Sequence, residues 1–204
     1  MTAQAGSIST SRIERRNLRQ RIRAERRALP AGVRAAADRS IAAQIRRLDV
    51  YRSARRVALF LAFDGEPSLA ALIESGARSG KRLYAPVITR SRMTFAELDL
   101  NGALGTNFFG IQEPSLGKLI DPRRLDLVLT PLVAFDDRGV RIGVGRGYYD
   151  RCFRFLRGRG LWQRPKLLAV AYELQHVPAI VENTWDIPLW GAVTEAGVRR
   201  FERR

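Results

Sequence analysis

The chain has almost no cysteine, histidine or lysine. Among its 204 residues, Cys152 is the one cysteine, His176 the one histidine, and Lys81, Lys118 and Lys166 the three lysines. A lone cysteine excludes an internal disulfide and suits a reducing compartment, so a cytoplasmic location is expected. A single histidine excludes zinc sites built from several imidazoles. A serine–histidine–aspartate relay would have to pass through His176, and no Gly-x-Ser-x-Gly elbow accompanies it. His176, two residues before Pro178, reads as a surface or loop residue, and Cys152 as a small apolar residue on a helix. Long apolar runs are missing too. The longest, residues 57–63, is far short of the ~20 residues of a membrane helix. Residues 1–10 lack the apolar segment of a secretory signal, so no membrane association is expected.

Acidic residues are scarce, 20 against 36 basic ones, which leaves a net charge of +16. Such a balance suits a nucleic-acid partner. The excess, however, is arginine spread along the whole chain, without the interleaved aromatics of a stacking surface. An obligate nucleic-acid partner is therefore not expected. Small anionic substrates profit from the same positive field. A hydrophobic fraction of 46% in 204 residues is enough for one well-filled core. We expect a flexible lead over residues 1–10 and a single domain over 11–204.

What the chain does contain is a change of period. Residues 11–29 have helical character, with Leu18 and Ile22 four apart, and Pro30 opens a second helix carrying Ala37, Ile41, Ile45 and Leu48. Residues 56–63 then form a nearly continuous apolar run, as in a strand covered on both faces. Asp64-Gly65 is a turn, Pro67 starts a helix, and residues 82–87 form the next strand, a strand–helix–strand unit that implies a parallel sheet. Further strands are expected at 93–98, 125–130, 166–172 and 190–194, with a helix over 148–156. The fold class is α/β: one three-layer α/β/α domain with a mainly parallel, Rossmann-like sheet and the N-terminal helices packed on it.

The most informative stretch is Arg141-Ile-Gly-Val-Gly-Arg-Gly-Tyr-Tyr-Asp150. Gly143, Gly145 and Gly147 alternate, so the backbone can approach a ligand and present unshielded N–H groups. A helix beginning near Gly147 would add its positive end. Arg141 and Arg146 supply full charges, and Asp150 can hold Mg²⁺ against phosphate oxygens. On spacing alone the stretch is either such an anion loop or a glycine turn serving packing or a hairpin. It matches neither the Gly-x-x-x-x-Gly-Lys-Ser/Thr loop nor the Gly-x-Gly-x-x-Gly dinucleotide register.

Together with Leu132-Val-Ala-Phe-Asp136, the run from Arg141 to Arg151 resembles the signature of the 5-formyltetrahydrofolate cyclo-ligase family. Other segments agree in order: Arg15-Arg-Asn-Leu-Arg19, Phe60-Leu-Ala-Phe-Asp-Gly-Glu66, Lys81-Arg-Leu-Tyr-Ala-Pro86, Gly110-Ile-Gln-Glu-Pro114, Trp185-Asp-Ile-Pro-Leu189 and Val193-Thr-Glu195. The resemblance implies an enzyme that uses ATP to convert 5-formyltetrahydrofolate into 5,10-methenyltetrahydrofolate, with Mg²⁺ as cofactor, acting as a monomer. It implies an ATP site at Arg15, Arg19, Arg141, Ile142, Gly143, Val144, Gly145, Arg146, Gly147, Tyr148 and Tyr149. Arg146 and Tyr148 would be catalytic, and Asp150 and Asp186 would hold the metal. The folate would meet Leu61, Glu66 and the loop from Val144 through Gly145, Arg146 and Gly147 to Tyr148. On local sequence alone Glu66 could instead cap the helix expected at Pro67, and Phe109 is either core or a wall of the folate pocket. Arg15 stands where the family usually has lysine, Val144 replaces a larger residue, and Pro67-Ser68-Leu69 differs from the usual sequence. The alternative is thus a diverged paralogue that binds nucleotide or nucleic acid without the folate activity.

Overall fold

A computed structural model describes residues 3–90, 92–157 and 164–201, with side chains from Ile13 onward. In chain order the elements are α1 (Ala3–Ala28), α2 (Ala31–Arg47), α3 (Asp49–Arg52), β1 (Arg56–Ala58), α4 (Ala70–Arg78), β2 (Arg82–Ile88), β3 (Met93–Glu97), β4 (Leu104–Thr106), β5 (Gln112–Pro114), β6 (Leu119–Ile120), β7 (Leu127–Thr130), β8 (Ala134–Phe135), β9 (Arg141–Ile142), α5 (Tyr148–Cys152), β10 (Lys166–Val170), β11 (Gly191–Thr194) and β12 (Gly197–Arg200). The first turns of α1 run through the segment where no element was expected.

Eight strands form one sheet in the order β12-β11-β10-β7-β1-β2-β3-β6. The five from β11 to β2 run parallel, while β12, β3 and β6 pair antiparallel at the two edges. Alternation along the buried strands separates two cores. Val57, Leu127, Leu129 and Leu168 face Ile41, Ile45 and Leu72 of α2 and α4. Ala58, Val128, Leu167 and Ala169 face Phe153, Leu156 and Ile187 on the other side. This is the three-layer arrangement expected. The N-terminal helices divide their work: α2 covers the sheet, whereas Ile22 of α1 packs with Val133, Ala134, Val140 and Ile142 around the β8–β9 hairpin.

Three of the expected elements have different bounds, and α3, β4, β5, β6, β8, β9 and β12 were not expected. The first strand ends at Ala58 rather than at residue 63, because the chain leaves the ladder after Leu59 donates to the Tyr84 carbonyl. The helix expected from Pro67 begins at Ala70. The helix expected over 148–156 is an α-helix of five residues followed by a 3-10 turn, Arg154–Leu156. Lysine also has a structural part. The Lys81 ammonium donates to the carbonyls of Tyr51, Arg52 and Ala54, filling acceptors that α3 leaves open.

Candidate active site

The chain passes from β1 outward to β2, then returns to place β7 on the opposite side of β1. That reversal opens a crevice at the carboxyl ends of β1 and β7, where doubly wound sheets bind their ligands. Two loops flank it. The one after β1 carries Leu61 and Glu66; the one after β7 holds the β8–β9 hairpin and the glycine loop.

In that loop Gly145 and Gly147 have φ of 101° and 63°, values that favour glycine, while space around Gly143 is open. α1 supports the loop through arginines four apart. Arg19 Nε donates to the Gly143 carbonyl at 2.9 Å and Arg15 Nη2 to the Arg141 carbonyl at 3.5 Å. Arg15 Nη1 donates to Val181 O at 2.7 Å, and Nη2 lies 3.6 Å from Asp186. Both arginines are thus engaged with the walls of the site, and burial lowers the Arg19 pKa.

Arg141 faces inward. It is buried, donates to the Ile187 carbonyl, and meets Asp150 Oδ1 at 2.5 Å. Asp150 Oδ1 also accepts from the Ile187 N–H at 3.3 Å. This places Asp150 beside the chain that carries Asp186, whose Oδ2 accepts from the Asn183 N–H at 3.0 Å. Among the described residues no hydrogen bond reaches Asp150 Oδ2 or Asp186 Oδ1. Two carboxylates with a free oxygen each fit Mg²⁺, which binds through one or two carboxylates and completes its shell with water and phosphate. No larger His/Cys/Asp/Glu cluster occurs among the described residues.

The glycine loop forms one wall of a cavity of about 400 Å³. Arg146, Arg151, Arg154 and Arg157 line it with Asp150 and Trp185. A five-residue helix is too short to supply the positive end expected from sequence, so the cavity's positive field comes from guanidinium groups. Arg151 of α5, Arg154 at the start of the 3-10 turn and Arg157 just after it recur every third residue and all line the cavity. Arg151 donates to the Arg146 carbonyl at 2.7 Å and Arg157 to the Trp185 carbonyl, which fixes the rim. Sequence reasoning missed these three arginines and Trp185. Arg151 and Trp185 fell within matched segments without being given a role, and for Arg154 and Arg157 the three-residue repeat was the available signal.

Aromatic rings mark the other side of the loop. The Arg146 guanidinium lies 5.1 Å from the Phe109 ring, Phe109 meets Tyr148 edge-on at 6.0 Å, and Arg151 lies 5.0 Å from the Tyr148 ring. Phe109 therefore joins the site rather than the core. Val144 is exposed. Ile142 is buried, and its carbonyl accepts from the Val133 N–H at 2.7 Å. Tyr149 points toward the core beside Phe153, and burial raises its hydroxyl pKa, with the Glu66 charge adding to the effect.

Glu66 does not cap a helix. Its Oε2 accepts from the Phe63 N–H at 3.2 Å, and α4 starts four residues later without a side-chain cap. Burial pushes its carboxyl up to about 7, against the opposing pull of Arg26. A carboxyl poised near neutrality in a crevice is a mark of function. Outside this region His176 pairs with Asp137 at 2.8 Å, and burial pushes the Cys152 thiol up to about 12, leaving it protonated and unreactive. Much of the arginine excess is spent on internal carboxylates and carbonyls, as at Asp64, Asp126 and Glu173.

Fold and site together define a doubly wound α/β protein with an arginine-lined cavity on its glycine loop and a raised carboxyl on the loop after β1. The sequence profile of the 5-formyltetrahydrofolate cyclo-ligase family matches residues 11–195. The chain is 36% identical to a 5-formyltetrahydrofolate cyclo-ligase of Haemophilus influenzae over 183 residues, 84% of this chain and 95% of that protein. It is 39% identical to the Escherichia coli K12 protein of the same name over 152 residues, 71% and 80% of the two chains. The solved 5,10-methenyltetrahydrofolate synthetase of Aquifex aeolicus superposes with a TM-score of 0.80 at 30% identity, covering 93% and 94% of the chains. The Mycoplasma pneumoniae synthetase shares the fold, with a TM-score of 0.72 at 22% identity over 89% and 98%. The chain belongs to the 5-formyltetrahydrofolate cyclo-ligase family.

Proposed function

We propose that this protein is an ATP-dependent 5-formyltetrahydrofolate cyclo-ligase. The observation that carries the reading is the arginine-lined cavity on the glycine loop, adjoining an aromatic wall, in a chain of this family. The formyl oxygen attacks the terminal phosphorus of ATP, and ADP leaves. N10 of the folate then adds to the activated formyl carbon, the carbon–oxygen bond breaks with release of phosphate, and the methenyl bridge remains. Phosphorylation converts a poor leaving oxygen into a good one. Protein work in such a transfer is positioning and charge stabilisation.

The residues divide accordingly. The Gly143–Gly147 backbone and Arg146 face the transferring phosphoryl group, and Arg151, Arg154 and Arg157 neutralise the remaining phosphate charge. Tyr148 and Phe109 wall the folate, Leu61 packs beside it, and the Glu66 carboxylate accepts hydrogen bonds from the pterin edge. Arg15, Arg19 and Arg141 hold the loop and the carboxylates in place. Asp150 and Asp186 would hold Mg²⁺, which would spread the charge of the phosphate oxygens when bound. No helix among the described residues is long and apolar enough to cross a membrane, and we assign the enzyme to the cytoplasm as a monomer. Purified protein given 5-formyltetrahydrofolate, ATP and Mg²⁺ should form the methenyl product; ATP turnover with other acceptors and none with this folate would reassign it to a related kinase or ligase.

A further inference from the structure

Arg26 is a fully buried guanidinium on α1. Its Nε and Nη2 donate to the Asp64 carbonyl at 3.2 and 2.9 Å, Nη2 also meets Asp64 Oδ2 at 3.2 Å, and Nη1 donates to the Leu132 carbonyl at 3.3 Å. One side chain thus ties together the loop after β1 and the loop after β7, the two walls of the crevice. Asp64 is held further by Arg23 at 2.7 Å and by Arg27. The grip has something to hold. Asp64 has φ of 55°, a left-handed conformation uncommon for a residue with a side chain, and Gly65 follows at 74°. This left-handed pair turns the chain and delivers Glu66, two residues on, into the crevice.

Resting on the folate role given to Glu66 above, we propose that Arg26 is the positioning residue for that carboxylate: it fixes the Asp64-Gly65 turn that aims Glu66 and supplies the fixed cation that keeps it available as an acceptor. The charged and titratable groups around Glu66 come from three elements. Arg26 and Arg23 of α1 favour its ionised form, Asp64 of its own loop opposes it, and the Tyr149 hydroxyl of α5 lies close enough to feel its charge. Losing the Arg26 cation removes the largest force opposing burial, so the carboxyl holds its proton to higher pH and accepts hydrogen bonds poorly at neutrality.

Steady-state kinetics of Arg26→Met and Arg26→Lys between about pH 6 and pH 9 test this. Arg26→Met should raise the folate KM about tenfold at neutral pH and leave the ATP KM within about twofold. Its kcat/KM inflection for folate should move up by about one pH unit, so that part of the loss returns in alkali. Arg26→Lys keeps a cation and should keep the parent inflection. Met at this site should still fold, because Asp64 retains Arg23 and Arg27 and the Leu132 carbonyl retains Gln175 Nε2 at 2.7 Å; a thermal melt confirms it. A loss equal at every pH, a matching rise in the ATP KM, an unchanged folate KM, or an inflection in Arg26→Lys shifted as far as in Arg26→Met would each overturn the proposal. Glu66→Gln separates the two layers. If it binds folate like the parent, the role of Glu66 falls and takes Arg26 with it; if it is impaired while Arg26→Met is not, only the Arg26 assignment falls.

Discussion

Asp150 carries two duties that one substitution can separate. Its Oδ1 is the carboxylate partner of buried Arg141 and also accepts from the Ile187 N–H, while its Oδ2, which accepts no hydrogen bond from a described residue, is the oxygen proposed above for Mg²⁺. Asp150→Ala leaves the Arg141 cation with the Ile187 carbonyl alone. Breaking a fully buried ion pair costs about 3–5 kcal/mol. The Asp150 side chain keeps 24% exposure, so water can enter the gap, and the loss should be nearer ~2 kcal/mol. For a chain of this size that is a fall in Tm of roughly 4–8 °C. Asp150→Asn preserves shape and a neutral acceptor and should lose about half as much. The assay is thermal unfolding in excess EDTA, where metal binding cannot contribute, paired with methenyl formation in Mg²⁺. Asn should recover about half of the lost stability and little of the activity. An Asp150→Ala protein melting within about 1 °C of the parent in EDTA would refute the structural half of the argument.

Glu66 should weaken the fold at neutral pH. Its carboxyl titrates at about 7 in the folded chain and near 4.3 when unfolded, so the native state holds the proton longer. Stability therefore falls as pH rises from about 4.3 to 7, and the penalty is complete above that. Glu66→Gln should match the parent melt near pH 4 and exceed it at pH 8 by about 1–3 kcal/mol while losing activity; a pH-independent difference would contradict the shift. Arg146 is exposed and its one described side-chain contact is the Phe109 ring. Arg146→Ala should thus leave the melt unchanged and lower kcat by about 10²–10³, whereas a rise in the ATP KM alone would assign it to ground-state binding.

Much of this was legible in the sequence. Buried parallel strands announce themselves as apolar runs, and the glycine loop, which on spacing alone could equally be a packing or hairpin turn, stood out through the resemblance of the longer run around it. Failures followed from tertiary effects. Residues 59 and 60 are as buried as β1 itself, so the apolar pattern ran past the end of the ladder. Phe153 and Leu156 fill the core from a tightened turn, and a helical period cannot tell that turn from a longer α-helix. β12 was missed because Val198 and Arg200 lie exposed on an edge, leaving no buried stripe to read. At the site, Arg154 and Arg157 were hidden among many other arginines, and Arg151 closed the signature run without a role of its own; their common side is set by the path of the chain from α5 through the 3-10 turn. Nothing in the sequence sets Arg26 apart from the other arginines of α1; its burial depends on Asp64 and Leu132, which are remote in sequence.

The central claim is that the arginine-lined cavity and the Glu66 loop together bind ATP and a formylated folate and join them chemically. Its most direct test is the absorbance of the methenyl product from purified chain, 5-formyltetrahydrofolate and Mg²⁺, with and without ATP. We expect product only when ATP is present, with one ADP released per methenyl group formed. Folded protein that yields none under those conditions would contradict the account.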